Sequence, residues 1–225
     1  MTPWTLLDSA PIPSGGGELR LHQRADEFMI SIVGGGVLMT TRMHGSEDVL
    51  AELACRGLDR NSSANVLIGG LGMGFTLASA LSHLNSEAQV TVAELVPKVI
   101  EWNQGELGEA AGKPIDDQRV TAFTGDVGKL IRKGAQSYDA IILDVDNGPD
   151  GLTRKDNNWL YTHSGLLTSF AALRPHGVLA VWSAADDRRF SERLKKIGFV
   201  VETVQVGAHN NKGQKHTIWL ARCKD

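Results

Sequence analysis

A short apolar run enters a glycine-rich turn at residues 65–75, which read Asn65-Val66-Leu67-Ile68-Gly69-Gly70-Leu71-Gly72-Met73-Gly74-Phe75. Glycine has no Cβ and tolerates positive φ, so such a turn brings the backbone close to a ligand. The segment that follows favours a helix, whose first N–H groups lack partners within the helix. Glu94 closes the next apolar run, 24 residues after Gly70, near the spacing of about 20 at which an acidic side chain meets ribose hydroxyls. The pattern favours a ligand-binding turn over a purely structural one.

The composition is that of an ordinary globular protein. The chain has 225 residues, of which 42% are hydrophobic and 22% charged, enough for one α/β domain. A net charge of −3 with scattered basic pairs gives no electrostatic footprint for nucleic acid. The N-terminus does not read as a signal peptide, and no apolar stretch approaches the roughly 20 residues that span a bilayer. Cys55 and Cys223 form neither a disulfide framework nor a zinc pattern. We therefore expect a cytoplasmic protein with no metal, no nucleic-acid partner and no membrane association.

The first 45 residues differ in pattern from the rest. Residues 11–17, rich in proline and glycine, are typical of a flexible connector. Apolar and polar residues alternate from Phe28 before a run of three glycines, which predicts a β-hairpin. A hairpin of this size is too small to form a domain by itself. Ser46 is expected to cap a helix that continues to about Leu58, so residues 1–45 are predicted to be a small N-terminal β-hairpin segment.

From residue 65 onward, strand and helix patterns alternate, which predicts a doubly wound, Rossmann-like α/β domain over residues 46–225. The strands are expected at about 65–69, 89–94, 119–124, 138–144 and 177–183, and the helices at about 74–84, 96–110, 127–133, 160–173 and 187–197. Two final strand patterns, at 199–206 and 215–221, are separated by a short polar loop. Because a short connection implies antiparallel pairing, the last strand should run against its neighbour.

Four successive predicted strands end in polar or glycine-rich sequence. The first ends in the glycine turn, the second in Glu94, the third in Thr124-Gly125-Asp126 and the fourth in Asp144-Val145-Asp146-Asn147. Ligands of open parallel sheets bind beyond the carboxyl ends of the strands. A single acidic residue there is usually a helix cap, but three facing one glycine turn indicate a site. A dinucleotide site is disfavoured, since its fingerprint needs a small residue where this chain has Phe75.

The chain resembles the class I S-adenosylmethionine-dependent transferases and, within them, the spermidine synthases. The resemblance covers roughly residues 28–183. It rests on Val66–Gly74, Glu94 with Pro97-Lys98-Val99-Ile100, Arg119-Val120 followed by Gly125-Asp126, Tyr138–Asp144, Leu160-Tyr161-Thr162 and Leu173–Leu179. It implies a seven-stranded sheet whose last strand is antiparallel, in agreement with the strand pattern.

The resemblance also implies a binding site for the donor. Gly70, Gly72 and Gly74 would belong to the turn beneath the ribose and tail of S-adenosylmethionine or its decarboxylated form. Glu94 would accept hydrogen bonds from the ribose hydroxyls. Asp126 would accept a hydrogen bond from the adenine amino group.

For catalysis, the resemblance implies that Asp144 is the general base, and Asp146 is a second acid beside it. A sulfonium makes the carbon attached to it electrophilic, and an amine attacks that carbon. The amine is a cation near neutral pH, with a pKa near about 10, so it must first lose a proton. The partner implied is a small amine of the polyamine class, and a homodimer is expected by resemblance alone.

The chain departs from the family at the acceptor side. Gly72 stands where the family has an acidic residue for the primary ammonium of the donor. Met39 and Ser46 stand at a glutamine and a tyrosine position, and Asn147 replaces a second aspartate. These departures leave two alternatives to aminopropyl transfer open. One is methyl transfer, and the other is a non-catalytic nucleoside-binding module with the same fold.

Several other residues have two interpretations. The long connection 145–158 is either a lid over the site or a solvated surface loop. Trp159 and Trp182 are more typical of core positions than of a pocket wall. His44, near the exit of the hairpin, is a weaker candidate for contact with the acceptor.

Overall fold

The computed structural model describes residues 2–60, 63–145, 158–209 and 212–224. Its first element is a four-stranded antiparallel sheet near the N-terminus. The strands of this N-terminal sheet pair in chain order and are β1 (Thr5–Pro11), β2 (Glu18–Arg24), β3 (Glu27–Ile32) and β4 (Gly36–Thr40).

The second sheet has seven strands and confirms the predicted α/β fold class. Its strands are β5 (Asn65–Gly69), β6 (Gln89–Glu94), β7 (Val120–Thr124), β8 (Tyr138–Leu143), β9 (Leu173–Ser183), β10 (Val200–His209) and β11 (Lys212–Arg222). Their order in space is β10-β11-β9-β8-β5-β6-β7. The pairs among β5 to β9 are parallel, whereas β11 is antiparallel to both β9 and β10. The last strand therefore runs against its neighbours, as predicted.

Helices connect the strands. They are α1 (Gly45–Cys55), α2 (Phe75–Ser82), α3 (Pro97–Gln104), α4 (Glu106–Glu109), α5 (Val127–Lys133), α6 (Asn158–Tyr161), α7 (His163–Ala172) and α8 (Arg188–Ile197). Two predicted helices are each divided. Gly105 separates α3 from α4, and Thr162 ends α6 and caps α7 by accepting a hydrogen bond from the Gly165 amide, 3.1 Å away. Within the described part of the chain, none of the helices combines the length and apolar character that crossing a bilayer requires.

The hydrophobic core lies in two layers, one on each face of the larger sheet. Val66 and Ile68 of β5 face a layer that includes side chains of α1, α2, α3 and the N-terminal sheet. Leu67, between them, faces the layer of α5, α7 and α8. All three side chains are fully buried. Because the central strands are buried on both faces, they hold the residues just beyond their ends in fixed positions.

The N-terminal segment contains more structure than the sequence indicated. The predicted hairpin is present as β3 and β4, but β1 and β2 precede it. Residues 11–17 are an ordered turn, in which a 3-10 helix spans Pro13–Gly15 and the Ile12 amide donates to the Gly17 carbonyl at 2.8 Å. The N-terminal sheet shares a hydrophobic cluster with β5 and β6. The division of the chain into 1–45 and 46–225 stays a prediction.

The prediction that Ser46 caps the first helix is wrong. Helix α1 begins at Gly45, with His44 at the cap position. Ser46 is 1% exposed, and its hydroxyl donates to Glu47 Oε2 at 2.6 Å instead of accepting from a backbone amide. A buried hydroxyl takes the strongest acceptor within reach, and that acceptor is a carboxylate.

Candidate active site

The carboxyl ends of β8, β5, β6 and β7 lie side by side, and a crevice opens beyond them. The crevice has a volume of about 560 Å³ and is lined by five of the predicted site residues, Gly70, Gly72, Glu94, Asp126 and Asp144. Strand order reverses at β5, whose neighbours are β8 and β6, and such a point is where ligands bind in open α/β sheets. The N-terminal sheet and its turn supply an opposite wall that the sequence did not predict, formed by Ile12, Pro13, Leu19, Ile30, Ile32, Leu38 and Met39.

The glycine turn has positive φ at three positions. Gly70, Gly72 and Gly74 have φ values of 85°, 52° and 87°. A Cβ at Gly70 would overlap the carbonyl oxygen of Asp144, so only glycine allows β5 to approach β8 so closely at this point. Gly74 is the cap of α2 and packs against Asn103, outside the lining of the crevice. Its assignment to the donor site stays a prediction.

Glu94 ties the glycine turn to the end of β6. Its carboxylate accepts hydrogen bonds from the amide of Leu71 at 3.0 Å and from the amide of Val96 at 2.9 Å. Burial raises the pKa of the Glu94 carboxyl, and these backbone donors lower it. Each carboxylate oxygen has more than one lone pair, so the group still has acceptor capacity toward the crevice.

Asp126 caps the helix that follows β7. Its Oδ1 accepts a hydrogen bond from the Gly128 amide at 2.8 Å. Arg132 approaches its other oxygen at 3.8 Å and lies over the ring of Trp159, 3.7 Å from the ring centre. Asp126 therefore both caps α5 and lines the crevice. Its contact with the adenine amino group stays a prediction.

Asp144 directly follows β8 and is fixed on two sides. Its amide donates to the Gly69 carbonyl at 2.9 Å, which extends the pairing of β8 with β5. Its Oδ2 accepts from Thr76 Oγ1, in the first turn of α2, at 2.5 Å. Burial raises the pKa of Asp144 to about 6, and the hydrogen bond from Thr76 lowers it. A carboxylate held in this way accepts a proton near neutral pH.

A smaller cavity of about 130 Å³ lies beside the crevice, and Asp144 and Gly72 line both. We call it the acceptor cavity, because Met39, at a position that the resemblance assigns to the acceptor side, lines it; binding of an acceptor there stays a prediction. The residues that line it are Leu38, Met39, Thr40, Glu47, Leu71, Gly72, Met73, Phe75, Thr76, Asp144 and Trp182. Burial and then the negative charge of Asp144 raise the pKa of Glu47 to about 7, while the hydrogen bond from Ser46 lowers it. The cavity thus brings together two carboxyl groups that each favour protonation.

The raised pKa of Glu47 predicts a pH-dependent stability difference. A carboxyl whose pKa is higher in the folded than in the unfolded chain destabilises the fold as pH rises from about 4.5 to about 7. Glu47→Gln removes this effect. We expect its unfolding free energy, relative to the native protein, to rise by roughly 2 kcal/mol between pH 5 and pH 8. Urea titrations at both pH values measure it, with Glu52→Gln on the exposed side of α1 as control; a constant difference for Glu47→Gln contradicts the prediction.

Sequence reasoning missed two of the polar residues of the acceptor cavity, Glu47 and Thr76. The prediction of Trp182 as a core residue is incomplete, because it also lines the cavity. His44 stacks on Phe75 with ring centres 4.0 Å apart, and its Nδ1 lies 2.7 Å from Asp48. Asp146 and most of the connection 145–158 lie outside the described residues, so Asp146 stays a prediction. No group of three or more His, Cys, Asp or Glu side chains within the described ranges is arranged to hold a metal ion.

Comparison with known proteins identifies the family. Two curated relatives are each similar to this chain over part of their length. The polyamine aminopropyltransferase of Sulfolobus acidocaldarius is 32% identical over 115 residues, which are 51% of this chain and 37% of that protein. That of Korarchaeum cryptofilum is 35% identical over 88 residues, 39% of this chain and 27% of that protein. The matched segment thus spans about a third of the length of these relatives.

The fold is similar to that of a solved structure. The crystal structure of spermidine synthase from Thermotoga maritima superposes with a TM-score of 0.74 at 17% identity, over 96% of this chain and 72% of that one. The family model of the spermine/spermidine synthase domain matches residues 29–197. This range includes the glycine turn and the acidic residues that line the crevice and the acceptor cavity. The chain therefore belongs to the spermine/spermidine synthase domain family.

Proposed function

We propose that this chain is an aminopropyltransferase that moves the aminopropyl group of decarboxylated S-adenosylmethionine to a small amine. The observation that carries the proposal is the position of Asp144 at the junction of the crevice and the acceptor cavity. A base at such a junction reaches an amine in one cavity while the donor occupies the other. The names of the curated relatives support the same reaction class.

The donor fits the crevice by volume and by chemistry. A volume of about 560 Å³ is within the range of about 300 to 1,000 Å³ that is usual for small-molecule sites. Glu94 offers acceptor capacity to the ribose hydroxyls, and Asp126 offers it to the adenine amino group. Gly70 and Gly72 leave room for the nucleoside to approach the backbone.

The reaction is a single displacement. The amine nitrogen forms a bond to the propyl carbon next to the sulfonium, and the carbon–sulfur bond breaks. Its electron pair returns to sulfur, and the leaving group is the neutral thioether methylthioadenosine. Before the attack, the acceptor ammonium gives a proton to Asp144, whose pKa is raised toward neutral pH by burial, and the neutral amine is the nucleophile.

The charges of the acceptor cavity favour the decarboxylated donor over S-adenosylmethionine. Among the described residues that line this cavity, Glu47 and Asp144 are acidic and none is Lys, Arg or His. A donor tail that ends in an ammonium is attracted to this end of the crevice, whereas an α-carboxylate is repelled. Methyl transfer from S-adenosylmethionine is the second candidate, because Gly72 brings no acidic side chain to the glycine turn.

The proposal includes a cytoplasmic setting and a small-molecule amine as partner. Cys55 and Cys223 are both free and buried, as is usual in a reducing compartment. A homodimer and the absence of a nucleic-acid partner stay expectations from the sequence.

Titration calorimetry with three nucleosides tests the proposal. We expect decarboxylated S-adenosylmethionine to bind at least about tenfold more tightly than S-adenosylmethionine, since one repelled carboxylate is worth 1.4 kcal/mol or more. Methylthioadenosine should bind to the same crevice. Incubation with decarboxylated donor and 1,4-diaminobutane should release methylthioadenosine only when the amine is present. Equal affinity for all three nucleosides without product favours the binding module, and preference for S-adenosylmethionine with a methylated product favours methyl transfer.

A further inference from the structure

The acceptor cavity contains a carboxylate that the reaction as described does not use. Glu47 enters it from the first turn of α1, and Asp144 enters it from the end of β8. No described residue that lines the cavity carries a positive charge. Two like charges in a partly buried cavity are unfavourable unless a cation or a proton accompanies them. The arrangement is therefore complementary to a positively charged group.

Glu47 is held in place from a different part of the fold. Ser46 donates to Glu47 Oε2 at 2.6 Å, and His216 Nδ1 on β11 lies 3.0 Å from the Ser46 hydroxyl oxygen. When His216 carries its proton on Nδ1, it donates to the Ser46 hydroxyl, and that hydroxyl in turn donates to Glu47. His216 also packs edge-on against Trp182, with ring centres 4.7 Å apart. The side chain of Glu47 is therefore positioned by a connected set of residues and is not a free surface group.

A side chain at Gly72 of the glycine turn would be crowded by Met39. A Cβ at Gly72 would lie 3.3 Å from Met39 Sδ, closer than most such contacts, and Gly72 has a φ of 52°. Met39 thus fills the space above the turn. Negative charge at this end of the site therefore comes from Glu47 on α1 and Asp144 after β8, and not from the turn.

Trp182, which also lines the cavity, has a polar atom without a partner. The indole Nε1 of Trp182 is buried and has no hydrogen-bond partner among the described residues. A buried donor without a partner is unfavourable by about 1 to 3 kcal/mol. An ammonium has only donors and cannot accept this hydrogen bond, so a water molecule that enters with the amine would satisfy it. The cavity of about 130 Å³ has room for a small amine only.

From this geometry we infer that Glu47 and Asp144 together bind the primary ammonium of the acceptor, with Glu47 as the charge that holds it and Asp144 as the base. The inference rests on the proposed function only in the role of Asp144. The ammonium has three N–H donors, so it reaches both carboxylates at once. When Asp144 takes one proton, Glu47 still accepts from the neutral amine and keeps its lone pair aimed at the donor carbon.

This arrangement couples amine binding to proton release. The charged or titratable groups around Glu47 are Asp144, its neighbour Asp48, and His216 through Ser46. Because burial raises the pKa of Glu47 to about 7 and that of Asp144 to about 6, the free cavity is partly protonated near pH 7. An entering ammonium replaces that proton.

Glu47→Gln tests the inference, with 1,4-diaminobutane and butylamine as probes in the presence of saturating methylthioadenosine. We expect amine affinity to fall about 10- to 100-fold, as for the loss of one charged hydrogen bond, with methylthioadenosine affinity unchanged. KM for the amine should rise by more than kcat falls. Calorimetry in buffers of different ionisation enthalpy should detect up to one proton released per amine in the native protein and less in the variant.

Two further variants make the outcome decisive. Glu47→Asp keeps the charge and should restore part of the amine affinity, and Glu52→Gln, on the exposed side of the same helix, should bind amines as the native protein does. If Glu47→Gln binds both amines with native affinity, the inference is overturned, whether or not the variant still turns over. If amine binding depends on Glu47 but no methylthioadenosine is ever released, the proposed function fails and the amine site stands.

Discussion

Replacing Asp144 by Asn is expected to lower turnover by about 10² to 10⁴, the usual contribution of a general base, while methylthioadenosine binds almost as tightly as before. Asparagine has nearly the same shape, and its Oδ1 still accepts from Thr76 Oγ1. The backbone contact of residue 144 with Gly69 does not involve the side chain. The variant therefore keeps the site and removes only the group that takes the proton.

Single-turnover release of methylthioadenosine and calorimetry with the same nucleoside measure the two quantities separately. Asp139→Asn is a matched control on the same strand. Asp139 Oδ2 accepts from the Asn65 amide at 2.7 Å and from Arg174 at 2.6 Å, at the opposite end of β8 from the crevice. This control should reduce stability and leave the turnover of folded protein intact. Native turnover in Asp144→Asn is incompatible with Asp144 as the base.

The contrast between Asp144 and Glu47 explains how much of the site the sequence predicted. Glu94 ends a buried strand and Asp144 follows one, and the end of a parallel strand has a known place at one edge of the sheet. Their convergence follows from strand order alone. Glu47 is in the first turn of α1, where an acidic residue is commonly explained by the helix dipole. That it faces Asp144 depends on how α1 packs over β8 and β9, and no local pattern encodes such a packing.

The same distinction applies to the fold. The bounds of β5 and β6 match the prediction, because a mostly apolar run of five or six residues between turn signals defines a buried strand well. β1 was missed because most of its side chains are exposed and show no alternation. It is held to the rest of the protein by contacts that are distant in sequence, such as the hydrogen bond from Trp102 Nε1 to Asp8, 3.0 Å long. Strands of this kind are specified by tertiary contacts more than by pattern.

The second large effect is expected at Gly70, where Gly70→Ala should lower the unfolding free energy by about 2 to 4 kcal/mol. A positive φ costs an alanine roughly 1 to 2 kcal/mol, and overlap with neighbouring atoms adds a similar amount. Gly70 has a φ of 85°, and its new Cβ would overlap the carbonyl oxygen of Asp144. Gly112→Ala is the matched control, because Gly112 has a φ of 75° and no atom within 4 Å of the added carbon.

Urea unfolding of the two variants separates the backbone cost, which both share, from the overlap, which only Gly70→Ala has. The overlap has a consequence for activity as well. Relief of the contact requires the glycine turn and the end of β8 to move apart, and these two segments form the floor of the crevice and hold the base. Gly70→Ala should therefore weaken methylthioadenosine binding, and Gly112→Ala should not. Equal losses of stability in both variants, with equal nucleoside affinity, would mean that close approach of β5 and β8 is not what sets the distance between donor and base.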